Sequence, residues 1–168
     1  MNFVRIDTNG FPSFYTKLPS IWKNVSDFPN LSATEQLTYG FYPVVKIQPA
    51  FDSRYQYQSG PVVTVDSGMA TATWTNHEKD LVTVKYHLIA NLRQQTHDFI
   101  MGRYPDYVQH NRNVPGRLTA EEITDMDTKI DIYREVYHTA KTAVNAAISG
   151  AEAVGAAILA WPEEWPAI

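Results

Sequence analysis

From Ile123 onward the sequence places Met126, Ile130, Tyr133, Tyr137, Ala140, Val144 and Ala147 at alternating spacings of three and four residues. A stripe sustained for more than three heptads stays on one side of the backbone only in an α-helix, and such a helix must bury it against something. A partner is at hand. Between about Lys79 and Met101, Leu81, Val84, Leu88, Leu92 and Phe99 recur on one helical face. Thr119 followed by Glu122 is a capping box that opens the second helix. Gly102, ahead of Tyr104-Pro105, is expected to close the first, and Asn111 to Gly116 reads as the turn between them. The prediction is an antiparallel helical hairpin in which Ile130 faces Val84, Leu88 and Leu92. Ser149-Gly150 breaks the second helix, and a short alanine-rich helix then runs to Trp161-Pro162.

The first 75 residues are different. They hold 13 of the 21 aromatics and six of the 10 prolines, with turn dipeptides between short β-branched or aromatic runs, the pattern of strands and turns. Phe3 to Ile6 and Phe11 to Tyr15 flank Asp7-Thr8-Asn9-Gly10, a hairpin signal. Ser32 and Glu35 form another capping box, on a short helix that Gly40 stops before the strand Val44 to Ile47. Pro61 to Val65 and Met69 to Trp74 flank Asp66-Ser67-Gly68 as a second hairpin, with Ala70, Ala72 and Trp74 on a dry face and Thr71, Thr73 and Thr75 on a wet one. The expected fold class is α+β: N-terminal antiparallel β-hairpins in 1–76, and a C-terminal antiparallel helical hairpin with a Trp/Pro tail in 77–168. With no Gly/Ser linker between them, the halves are expected to pack as one unit.

Composition narrows function. A chain of 168 residues with 44% apolar content can build a core, and a net charge of -4 offers no basic excess for nucleic acid or an anionic membrane. The longest apolar stretch, Ala153 to Trp161, is far short of a membrane span, and Met1, Asn2, Arg5 and Asp7 do not open a signal peptide. A protein made in the cytoplasm is expected. The absence of cysteine removes disulfides, thiol nucleophiles and thiolate metal sites together.

Catalytic and metal motifs are weighed against plainer readings. Val65-Asp66-Ser67-Gly68 resembles the aspartic protease motif, in which two carboxylates share a proton. One copy would need a symmetric dimer, and the same tripeptide serves ordinary hairpin turns, so a small aspartic-type hydrolase is only a remote alternative. Among His77, His87, His97, His110 and His138 no pair has metal-ligand spacing; His87 and His97 would sit about 80° and about 15 Å apart on a helix. The acidic run Glu121, Glu122, Asp125, Asp127, Asp131 and Glu135 lacks the EF-hand spacing and glycine and suits a helix N-terminus and solvated face. The sequons at Asn24 and Asn30 carry no weight without a secretory signal. Hence no catalytic residue, metal site or cofactor is expected, and the chain reads as a non-enzyme. The tail Trp161-Pro162-Glu163-Glu164-Trp165-Pro166 is stiffened by proline, and its indoles either cap the core or dock on a neighbour. Trp161 is expected to be buried in one of these ways. Interaction residues are expected at Trp161, Trp165, Phe3 and Tyr15.

Taken together, several phrases resemble a group of bacteriophage tail proteins: tail-fibre and baseplate-associated components and tail-fibre-assembly-like proteins. Phe3-Val4-Arg5-Ile6-Asp7, Asn9-Gly10 and Phe14-Tyr15 resemble their N-terminal hairpin. Leu18-Pro19, Trp22, Asn24-Val25-Ser26, Phe28, Leu31 and Tyr39-Gly40-Phe41-Tyr42-Pro43-Val44 resemble their Trp-containing segment and the strand after it. Pro49, Phe51-Asp52 and Gln56, then Tyr104-Pro105, Gln109 and Asn111, then Ala146, Ala151 and Trp161-Pro162, continue the likeness across residues 3 to 165. It brings no catalytic residue. It implies a structural subunit of the virion tail (fibre attachment, adaptor or baseplate) that contacts other tail, fibre or baseplate proteins, with homo-oligomerisation also open. The long repetitive shaft of full-length fibres is missing, which favours a small attachment or adaptor subunit, and the lack of a separate fibre-binding module leaves an assembly chaperone that departs before maturation as the alternative.

Overall fold

The computed structural model describes residues 3–159, the side chain of Leu159 excepted. The described chain forms two compact units. The first comprises the residues up to Phe51 together with Tyr57–His77, and the second comprises Asp52–Gln56 and the chain from Glu78 onward. The fold is α+β.

In the first unit, strands β1 (Phe3–Ile6) and β2 (Pro12–Tyr15) pair antiparallel with Phe3 opposite Tyr15 and Ile6 opposite Pro12. Their turn is held by Asp7, whose carboxylate accepts from the amides of Asn9 and Phe11. Of the Asn9-Gly10 pair only Gly10 takes positive φ, at 84°. A two-residue ladder, β3 (Ile21–Trp22) with β4 (Val25–Ser26), and a 3₁₀ turn (Phe28–Asn30) lead to helix α1 (Ala33–Thr38), whose Ser32/Glu35 capping box is fully formed. Gly40 follows at φ 79°, where a Cβ would lie 2.6 Å from the Ile6 carbonyl oxygen; the chain can pass β1 this closely only without a side chain.

Strand β5 (Phe41–Ile47) then pairs antiparallel with β1, with Phe3 opposite Pro43. Strands β6 (Gln56–Asp66) and β7 (Met69–Glu78) are neighbours joined by Ser67-Gly68, both at positive φ, as a tight hairpin turn requires. The sheet order is β2-β1-β5-β7-β6, and β5 and β7 run parallel, with Val44 opposite Ala70 and Ile47 opposite Thr73. The sheet is therefore mixed, where antiparallel hairpins alone were expected. Turn signals reveal only sequence neighbours, and the β5–β7 pairing joins strands that have all of β6 between them.

Registers assign the faces. Val4, Phe14, Val44, Ala70, Ala72 and Trp74 share one face, on which Val4, Ala70 and Ala72 are completely buried. Phe3, Arg5, Tyr15, Phe41, Pro43, Val45 and Ile47 share the other. There Phe41 is buried beneath Trp22, Phe28 and Tyr15, at ring-centroid distances of 5.0, 5.0 and 5.3 Å.

The second unit is built on α2 (Leu81–Arg103), α3 (Asp106–Asn111), α4 (Ala120–Ala146) and α5 (Gly150–Leu159). Asp80 caps α2 by accepting from the Thr83 amide, and the Thr119/Glu122 capping box opens α4. The first helix does not stop at Gly102. It runs through to Arg103 and ends at Tyr104, where the following Pro105 drives the backbone out of the helical region, to φ -125°, ψ 77°. The short α3 occupies part of what the sequence suggested was loop.

Lys85 donates to the carbonyl of Asn145 near one end of the pair, and Phe99 meets Tyr133 with ring centroids 4.9 Å apart further along, so α2 and α4 are antiparallel. Met126, Ile130, Tyr133, Ala140 and Val144 are buried, as the heptad stripe requires. The register differs from the expected one. Val84 and Leu92 belong to a cluster with Ala140, Val144, Ala147, Ala153 and Ala157, while Ile130 lies beyond the Phe99–Tyr133 contact, toward the Arg103 end of α2. Stripe spacing identifies a buried face but not the longitudinal match, which depends on the length of the connection. Small residues on α4 and α5 let these helices approach closely, and a Cβ on Gly150 would lie 2.7 Å from the Tyr55 Cβ. Ser149 accepts from the Glu152 amide and Glu152 from the Ile148 amide, a cap at what looked in the sequence only like a break.

Candidate functional site

Two of the sequence-predicted interaction residues are brought together. Phe3 and Tyr15 lie directly opposite each other on β1 and β2, both half-buried, and the Tyr15 ring packs on Phe41. Trp161 and Trp165 lie outside the described residues. Near Tyr15, Arg5 stacks over the Trp22 ring at 4.8 Å, and the buried Arg5 Nε and Trp22 Nε1 have no acceptor among the described protein atoms.

The face that carries Phe41 is covered at one end only. Along β5, Val45 and Ile47 are 48% and 51% exposed, opposite the half-exposed Thr71 and Thr73. The two sheet edges differ in kind. Strand β2 is short and starts at Pro12, which blunts it. Strand β6 has 11 residues, one charge at its end, and exposed Tyr57, Val62 and Val65. Gly60 sits in β6 at φ 111°, where a Cβ would come within 2.9 Å of the Thr73 carbonyl oxygen, and Pro61 removes one amide. An edge strand tolerates both departures, and the run Val62–Asp66 beyond them keeps its amides.

Asp66 is exposed in the β6–β7 turn and accepts from the Ser67 hydroxyl at 3.0 Å. Ser59, which no sequence motif marks, has its Oγ 2.7 Å from His77 Nε2 while Tyr57 stacks on the imidazole at 5.0 Å. This is a nucleophile–base contact of hydrogen-bonding length. A triad also needs an acceptor on the other ring nitrogen, and no described residue supplies one. The hairpin read about Asp66-Ser67-Gly68 held the signal, but its expected strands began at Pro61 and ended at Trp74, short of both residues, which the longer β6 and β7 bring opposite each other.

In the second unit, four of the six members of the acidic run are individually engaged. Glu122 caps α4, Asp125 pairs with Lys129, Asp127 with Arg112 and Asp131 with Arg134. Among the described residues no group of three His, Asp or Glu is arranged to hold a metal ion. Thr119 donors hold the Glu122 carboxyl below its ordinary pKa, the Ser32 hydroxyl and amide do the same for Glu35, and burial pushes the Tyr104 hydroxyl up. A groove of about 650 Å³ runs between α2 and α4, lined by Tyr86, Ile89, Arg93, His97, Tyr137 and Lys141 among others. It has no carboxylate in its lining, and Lys141 Nζ lies 6.0 Å from the Tyr137 ring centroid. Among the described helices none is long and apolar enough to cross a membrane.

Comparison of the chain with protein-family models, with curated proteins and with solved structures finds no match.

Proposed function

We infer that this chain is a structural component of a bacteriophage tail, a fibre-attachment, adaptor or baseplate subunit that acts by protein–protein contact. The observation that carries the reading is the open edge of β6, with 11 residues and a single terminal charge, in a sheet whose neighbouring face leaves Val45 and Ile47 exposed. Proteins that function alone blunt such edges. A partner strand laid along Val62–Asp66 gains backbone hydrogen bonds, and exposed aliphatic side chains supply the apolar contact beside it. The phrases that resemble those of tail proteins, from Phe3-Val4-Arg5-Ile6-Asp7 to Trp161-Pro162, support that class of partner.

Mass spectrometry of purified virions tests the assignment. Presence at a copy number matching tail symmetry is the expected result. Absence from virions, with abundance in infected lysate, identifies an assembly chaperone instead. Absence from both removes the tail reading.

A further inference from the structure

Ser67 and Gly68, both at positive φ, join Asp66 directly to Met69. In a two-residue turn of this kind the flanking residues exchange hydrogen bonds, and bonded and non-bonded pairs then alternate along the ladder. Asp66, Thr64 and Val62 therefore direct their amides and carbonyls at β7, while Val65 and Val63 direct theirs outward. No described strand lies beyond β6. Thr64 and Asp66 are exposed, and Val62 and Val65 are 65% and 41% exposed, so this stretch of the edge is open. It is bounded at both ends, by Pro61, which has no amide, and by the turn at Ser67.

We propose that β6 pairs antiparallel with β6 of a second copy of the chain, about a two-fold axis through Thr64 that sets Val63 of each copy opposite Val65 of the other.

The proposal rests on the open β6 edge of the tail reading and names its occupant. What selects a second copy is that the stretch is complementary to itself. In this register Val63 and Val65 of each copy use both their outward amides and both their outward carbonyls. A slip of two residues sets Pro61 against Val65 and leaves a carbonyl facing a proline ring. The cross-strand neighbours are Val63 with Val65 on one face and Thr64 with Thr64 on the other, both favourable pairings in a sheet. The one charge in the stretch is also placed without conflict. Asp66 falls opposite Val62, so the two Asp66 carboxylates stand four residues apart, about 14 Å, beyond the screening length of about 8 Å at physiological salt. The pairing is isologous and uses up the open edge of both copies, while β2 at the other edge begins at Pro12, so association closes at a dimer.

Sedimentation of the purified full chain should show a reversible dimer. Amide exchange at Val63 and Val65 should slow as protein concentration rises. Thr64→Lys and Thr64→Glu each set like charges directly opposite, and each should raise the dimer Kd at least tenfold at unchanged far-UV circular dichroism. An equimolar mixture of the two variants should recover most of the wild-type affinity, because Lys then faces Glu. A wild-type chain that stays monomeric up to several hundred micromolar overturns the proposal. So does a dimer in which exchange at Val63 and Val65 is independent of concentration, since the copies would then meet elsewhere. A mixture no tighter than its two parents overturns it as well, since residues 64 would not be opposite. The tail reading fails separately: a chain present in virions but monomeric in solution refutes only the self-pairing, and a dimer absent from virions and lysate refutes only the tail assignment.

Discussion

Phe14 on β2 and Trp74 on β7 lie with ring centroids 6.3 Å apart, although β1 and β5 stand between their strands. Three strand spacings in a flat sheet would separate them by about 14 Å. The sheet therefore curls toward the face that holds both rings, and that face is where Val4, Ala70 and Ala72 are completely buried. Lys46 adds its ammonium 5.6 Å from the Phe14 ring on the same side. Alanine at 70 and 72 leaves the room that the curl needs.

The Phe14–Trp74 contact should be measurable as a coupling. A double-mutant cycle with Phe14→Ala and Trp74→Ala, read by chemical denaturation, should give an interaction of about 0.5–1.5 kcal/mol. Ala72→Leu should also destabilise, because extra volume on a crowded face costs about 1–3 kcal/mol. Strict additivity of the two ring deletions would show that the rings do not hold the curl.

The helical pair depends on the buried stripe of α4. Ile130 is 3% exposed and Ile132 is 40% exposed. Ile130→Asp should cost several kcal/mol by burying an unpaired carboxylate, enough to abolish a cooperative thermal melt. Ile132→Asp should stay within about 0.5 kcal/mol of wild type. Equal melting curves for the two variants would contradict the observed packing.

Two glycines of α5 should respond in opposite directions. Gly155 has open space where a Cβ would be added, so Gly155→Ala should stabilise by about 0.5–1 kcal/mol through helix propensity. At Gly150 the new Cβ would meet Tyr55 at 2.7 Å, and the contact is with a Cβ that cannot swing aside. Gly150→Ala should therefore lower the melting temperature. Pairing it with Tyr55→Gly should recover part of the loss, which distinguishes the clash from a backbone effect.

Acid should act first on the helix starts. Hydrogen bonds from the Thr119 amide and hydroxyl lower the pKa of Glu122, those from the Ser32 hydroxyl and amide lower that of Glu35, and those from Thr83 lower that of Asp80. A carboxylate whose pKa falls on folding contributes stability that is complete above its unfolded value and is lost as pH drops through the lower, folded value. Protection of first-turn amides in α1, α2 and α4 should hold at neutral pH and decline below the ordinary carboxylate range. Hydrogen exchange against pH reads this directly. Glu122→Gln should flatten the profile at α4 alone, and a wild-type profile already flat would remove the role of these carboxylates.

How much of this was written locally can be argued residue by residue. The capping boxes at Ser32/Glu35 and Thr119/Glu122, the buried stripe from Met126 to Val144, and the Ser67-Gly68 turn follow from chemistry within a few residues of each site. They were legible because hydrogen-bond geometry and the 3.6-residue period act over a single turn. The start of α4 needed no knowledge of what α4 packs against.

Tertiary structure decided the rest, wherever the outcome depended on which distant segments meet. The parallel pairing of β5 with β7 made the sheet mixed and left β6, not β7, at its edge. That placement is what exposes Tyr57, Val62 and Val65. The choice of Phe3 and Tyr15 as docking aromatics rested on residue type alone; pairing put Tyr15 against Phe41 and left Val45 and Ile47 outside. On the helical side, the stripe named the buried residues of α4, but the longitudinal match placed Val84 and Leu92 with Ala140 and Val144 and sent Ile130 past Phe99. Periodicity determines which side of an element is buried, because each residue carries its own hydrophobicity. Partner and register are set by the summed packing of two surfaces, and no single segment contains that sum.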